Sequence, residues 1–181
     1  MKAFICKSAR LLLPLSAAVI VLSAGGLASS SLGGDDTDFV KNAAKGNLAE
    51  VELGRLAVQK GSSAEVKDFG SRMIRDHSKA NRELSVLAAS KGVELPKHDS
   101  IGTDVSFEHL KMLSGKSFDD AYVKMMVEDH KEDIAAFQRA ADGSQDPDVK
   151  HFAAKLLPTL QSHLTKIEKI QNDNMTGEST K

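Results

Sequence analysis

Beyond Leu27 the sequence holds no apolar run long enough to cross a bilayer, no cysteine, and no sustained alternation of apolar and polar residues. Each absence closes a door. A second membrane-spanning helix has nothing to form from. A disulfide framework is excluded, because Cys6 is the single cysteine of the chain. A sheet finds no strand pattern. No phosphate-cradling loop, nucleophile arrangement or haem-attachment motif is present, so kinase, hydrolase and cytochrome chemistry lack a foundation.

What is present begins with export. Lys2, Lys7 and Arg10 precede an apolar run from Leu11 to Leu27, and Gly26 and Ala28 stand at the spacing a signal peptidase reads. A membrane anchor is the alternative. The run is short, broken by Pro14 and closed by Gly25-Gly26, which favours cleavage after Ala28. Loss of residues 1–28 would remove three positive charges and no negative ones, leaving 21 Lys and Arg against the 25 Asp and Glu of the whole chain, a net charge of −4. That balance argues against nucleic acid as a partner. Cys6 would leave too, so no thiol remains for an oxidising compartment. Residues 29–35 read as a flexible leader, 36–172 as one domain, and 173–181 as a disordered polar tail.

Within the domain apolar residues recur at helical spacing, and the predicted class is all-α. The first helix is expected to start near Asp36 to Asp38 and stop before Gly61. The second should open on a capping box, Ser62 with Glu65, and end before Gly92. A third spans Ser117 to Gly143, and a fourth starts with Asp146 as cap and Pro147 at its first position. The long link from Val93 to Lys116 carries Val105, Phe107, Leu110 and Leu113, the pattern of a short amphipathic helix. Four long helices with a long middle connection describe a ferritin-like four-helix bundle with a crossover.

One ionisable residue falls on the apolar stripe of each long helix: Glu50, His77, His130 and His163. An internal repeat supports the placement. Phe69, Met73, Ile74, Asp76, His77 and Leu84 recur 53 positions later as Tyr122, Met126, Val127, Asp129, His130 and Phe137. One heptad either side of each histidine lies a core-compatible residue, so all three imidazoles project inward. Glu50 shares its face with Ala43, Gly46, Leu53, Gly54 and Ala57, whereas Glu52 points away. Burying such a set unpartnered would cost several kcal/mol. Either the four bind a metal ion, with zinc, iron, manganese and copper all suited to imidazole plus carboxylate, or they satisfy one another in a metal-free polar core. Asp76, Asp129 and Asp133 are placed to accept from ring N–H groups. His98, His109 and His151 fall outside the stripes and are expected at the surface. Pro158 interrupts the last helix a turn before His163.

The stretches AKGNLAEVELGRLAVQKG, VKDFGSRMIRDHSKANREL, FDDAYVKMMVEDHKEDIAAF and HFAAKLLPTLQSHL resemble a bacterial family of exported proteins, domain-of-unknown-function family 4142. Its members are often labelled outer-membrane proteins and placed in the ferritin-like superfamily. The resemblance runs from about Asp38 to Gln171 and implies a ferritin-like fold in the periplasm or cell envelope, without an established activity. A helical bundle is not a barrel, so the label translates at most into peripheral association. The di-iron pattern of that superfamily, Glu-x-x-His on two helices, is absent: Ile74 precedes His77 by three, Leu160 precedes His163 by three, and His130 stands where a bridging Glu would fall. Two roles therefore remain open. One is binding of a single transition metal through Glu50, His77, His130 and His163, for sequestration or stress-linked redox chemistry. The other is a non-enzymatic structural or interaction module with a metal-free polar core. A non-enzymatic protein is favoured over a catalyst.

Overall fold

The computed structural model describes residues 32–97 and 105–176. The signal segment, residues 29–31 of the leader, residues 98–104 with His98, and the last five residues lie outside this range. The described residues form α1 (Gly34–Lys60), α2 (Ala64–Ser90), α3 (Val105–Met112), α4 (Gly115–Gly143) and α5 (Pro147–Thr176), with no strand among them. The long helices have 27 to 30 residues, which at 1.5 Å per residue is about 40–45 Å each. α1 packs mainly on α2 and α4 mainly on α5, giving two hairpins.

Hydrogen bonds at the helix ends fix the direction of the hairpins. The Asp119 carboxylate, near the start of α4, accepts the backbone N–H groups of Ser62 and Ser63, both at 2.9 Å, at the start of α2. α2 and α4 therefore run parallel, and the connection between them must travel the length of the bundle. At the far end Lys91 bridges to Asp146 and Asp148, each at 2.7 Å, tying the end of α2 to the start of α5. This is the crossover topology of a ferritin-like four-helix bundle. The extra helix α3 seats the fully buried Leu110, with Phe107 and Leu113 packed beside it. Lys60 anchors the α3–α4 turn by donating to the Lys111 and Leu113 carbonyls.

Several boundaries differ from sequence expectation for local reasons. α1 begins at Gly34, before the Asp36–Asp38 start, and Asp36 is buried because it accepts from the Asp146 N–H. At α2 the cap is Ser63, whose Oγ accepts from the Val66 N–H at 3.1 Å. Ser62 is engaged by Asp119 instead, through both its N–H and its hydroxyl, so a long-range carboxylate displaces the expected capping box. α4 starts at Gly115, whose φ of +59° suits glycine alone at low cost. α5 carries on to Thr176, past the expected tail boundary, and Pro158 sits within it with its ring exposed. Asp146 caps α5 as expected, accepting from the N–H groups of Asp148 and Val149.

The core comes in two apolar blocks. One gathers Leu53, Leu56, Phe69, Met73, Phe118, Tyr122, Met126 and Ile167; the other gathers Val40, Leu84, Phe137, Phe152, Leu157 and Leu160. Along every long helix a buried polar residue falls between its two sets of apolar residues: Asn47 and Glu50 on α1, His77 on α2, His130 on α4 and His163 on α5. A polar layer thus divides the bundle. On the α1–α2 side the helices touch backbone to backbone. A Cβ added at Gly70 would stand 2.7 Å from both the Gly54 carbonyl oxygen and the Ala57 Cβ, so only glycine fits there.

Candidate metal centre

His77, His130 and His163 are 3%, 0% and 0% exposed, and one ring nitrogen from each lies within 4.8 Å of the others. Their rings are mutually close, with centroids 5.4 Å apart for the two pairs involving His163 and 5.9 Å for His77 with His130. Phe69 closes the layer from one apolar block, edge-on to His130 and His163.

The remaining nitrogen of each ring is engaged by an acceptor outside the trio. Asn47 Oδ1 stands 2.8 Å from His77 Nδ1. The Met126 carbonyl, one turn back on α4, stands 2.9 Å from His130 Nδ1. Asp76 Oδ2 stands 2.9 Å from His163 Nε2. A carbonyl or carboxylate oxygen accepts only, so each of these ring nitrogens carries the proton, and the opposite nitrogen of each neutral ring keeps a lone pair. The free set is His77 Nε2, His130 Nε2 and His163 Nδ1. His130 Nε2 and His163 Nδ1 face each other at 3.4 Å, two acceptors with no proton between them, and His77 Nε2 is buried without a partner. Converging lone pairs of this kind fit a cation, and the fixing of each ring by an acceptor behind it is the way proteins orient imidazole ligands.

Electrostatics keeps the rings neutral. Burial, reinforced by the other two imidazoles, pushes His77 down to about 3. Burial and His163 push His130 down to about 4. His163 is also lowered by burial, with Asp76 pulling in the opposite direction. Asp76 itself is held below the usual carboxylate range by its bond to His163 and by Arg75, in spite of partial burial.

Glu50 is 3% exposed and belongs to the same layer, but its carboxylate is not one of the converging atoms. Oε1 lies 3.8 Å from His130 Nδ1, the nitrogen already committed to Met126, and Oε2 is buried without a partner. Burial first, then the charges of Asp133 and Asp129, raise its carboxyl well above the ordinary value. With an uncharged imidazole opposite, the contact is not an ion pair. Asp133 is likewise pushed up to about 6, by burial and by Glu132.

Of the polar positions expected to serve the rings, Asp76 does so across helices: it sits beside His77 in sequence and holds His163 of α5. Glu52 pairs with Arg55 on the surface. His109 and His151 are exposed, as expected. Asn47 was not legible as part of the site. It lies three residues before Glu50 and one heptad before Gly54, and that spacing is the signal that could have found it.

A cleft between α2 and α5 leads to His77 and His163 and is lined also by Asn47, Asp76, Thr159 and Leu160. Its interior leaves about 20 Å³ for the centre of a water molecule, room for about one.

Residues 22–170 match the family defined by a domain of unknown function, DUF4142. The chain belongs to that family. No curated protein matches the sequence. Among solved structures, a DUF305 fragment from Deinococcus radiodurans aligns with a TM-score of 0.69 at 12% identity, covering 78% of this chain and 98% of that one. A DUF305 protein of Streptomyces coelicolor gives 0.68 at 14% identity, covering 81% and 95%. CopM in its Cu(I)-bound form gives 0.65 at 14% identity, covering 76% and 96%. At these identities the likeness is one of fold.

Proposed function

We propose that this protein is an exported metal-binding protein of the cell envelope, holding one transition-metal ion through His77, His130 and His163. The carrying observation is that three imidazole lone pairs are turned toward one another by Asn47, the Met126 carbonyl and Asp76 in a buried layer. Glu50 stands beside His130 and is available as a further ligand or as a counter-charge once an ion is present. Metal–imidazole bonds of about 2.0–2.1 Å require the three nitrogens to draw closer than 4.8 Å on binding. Export rests on the Lys2 to Ala28 pattern, and the copper and silver complexes of the similarly folded CopM favour a metal-binding role. Sequestration fits best, because the three converging nitrogens lie in a buried layer and the cleft that reaches His77 and His163 is narrow.

The test is elemental mass spectrometry of the mature chain, purified without chelator or affinity tag. About one transition-metal ion per chain is expected, and His130→Ala should abolish it while circular dichroism keeps its helical signature. Absence of metal after reconstitution, with His130→Ala only destabilising the fold, would instead mean that the layer is a structural polar core.

A further inference from the structure

Resting on the metal-binding reading, we propose that the trio selects a soft monovalent d10 ion, Cu(I) or Ag(I), over Zn(II) and other divalent ions. The converging atoms are nitrogens of neutral rings, and no carboxylate oxygen is among them. A divalent ion would therefore bring two positive charges into a layer whose ligands bring none. The cost of burying charge in an apolar medium rises with its square, so this cost is about four times larger for a divalent ion of equal size.

The nearby carboxylates stand outside the converging set and offset it only from a distance. Asp76 touches the layer through His163 but already faces Arg75 at 3.0 Å and Arg72 at 3.4 Å. Glu50 addresses the far nitrogen of His130, and Asp129 and Asp133 act on Glu50 from α4. The surroundings are soft as well. Met73 and Met126 are fully buried in the apolar block that borders the layer, each one turn before a ligand histidine, so the medium around the trio is polarizable rather than hard. A cleft with room for about one water admits a stripped ion, whereas strongly hydrated divalent ions hold their water.

The experiment uses the tag-free mature chain under anaerobic conditions. Cu(I) is presented from a chromogenic chelator and Zn(II) from a fluorescent one, and X-ray absorption is recorded on the copper-loaded protein. Expected are one Cu(I) per chain, held at least about a thousandfold more tightly than Zn(II), with a three-coordinate nitrogen shell and no electron paramagnetic signal after brief exposure to air. His130→Gln and His130→Ala, each checked for fold by circular dichroism, should lose that shell. Zn(II) bound as tightly as Cu(I), or a Cu(II) signal appearing at once in air, overturns the selectivity and leaves the metal-binding reading standing. Failure to bind either ion overturns both.

Discussion

Asp76 on α2 holds His163 on α5: the carboxylate Oδ2 accepts the ring Nε2–H at 2.9 Å across 87 positions of sequence. The residue adjacent to one candidate ligand thus aims another. It also closes the α2–α5 seam together with Arg72, which donates to the Ser162 hydroxyl at 3.0 Å. Replacing Asp76 with Ala is expected to leave all three imidazoles in place but let His163 turn, weakening metal binding by roughly 10–100-fold. Asp76→Asn, which keeps an acceptor oxygen, should recover most of the loss. A competition titration against a chelator reads both variants, and equal affinity in wild type and Asp76→Ala would remove Asp76 from the site.

Proton competition gives a second prediction. His77 and His130 are held at about 3 and about 4 against an ordinary 6.5. A metal should therefore stay bound at about pH 5, where ordinary exposed histidines are protonated, and leave only as the pH approaches 4. For the metal-free protein the unfolded chain takes up protons below 6.5 that the fold refuses, so the histidine contribution to stability is complete above that pH and declines as pH falls through 4 to 3. Asp133 has the opposite slope. Raised from 3.8 to about 6, it favours the fold below 3.8, and that contribution is lost as pH rises through 6. Asp133→Asn should accordingly stabilise the metal-free protein at pH 7, on the order of 1 kcal/mol for a half-buried group, with no gain at pH 3.5. Urea melts at the two pH values decide it.

The glycine contact between α1 and α2 yields a third. Gly70→Ala places a methyl 2.7 Å from the Gly54 carbonyl oxygen and from the Ala57 Cβ, and backbone cannot yield as a flexible side chain can. A loss of roughly 1–3 kcal/mol is expected, the usual cost of overpacking. Because Asn47 and His77 face each other across the same helix pair, the metal affinity should fall too. Chemical denaturation should show a lower midpoint with unchanged slope; an unchanged midpoint would mean that the two helices slide apart freely.

The helices were legible because their apolar stripes are long, and because glycine, proline and cap residues mark the ends: Asp146-Pro147 and Gly143 lie where the sequence puts them. The inward direction of His77, His130 and His163 followed from heptad spacing alone and holds in the structure. What spacing cannot convey is which side of a ring faces which neighbour. Glu50 was legible as buried, yet its meeting with the outer nitrogen of His130 depends on the Met126 carbonyl claiming that nitrogen first. The Ser62 capping box failed for a related reason. Asp119 lies 57 positions away, and a carboxylate arriving from another helix outcompetes a local side chain for two adjacent N–H groups.

The division of the core has a mechanical consequence. Two apolar blocks on either side of a polar layer reward burial separately, and apolar contacts within one block do not constrain how far the other has rotated about the bundle axis. Between the ties at the two ends, that angle is set at mid-height by Asn47 on His77 and Asp76 on His163, bonds with fixed directions. An ion gripped by three helices at that height would act as a torsional lock, stiffening against twist a rod about 40 Å long from a point near its middle.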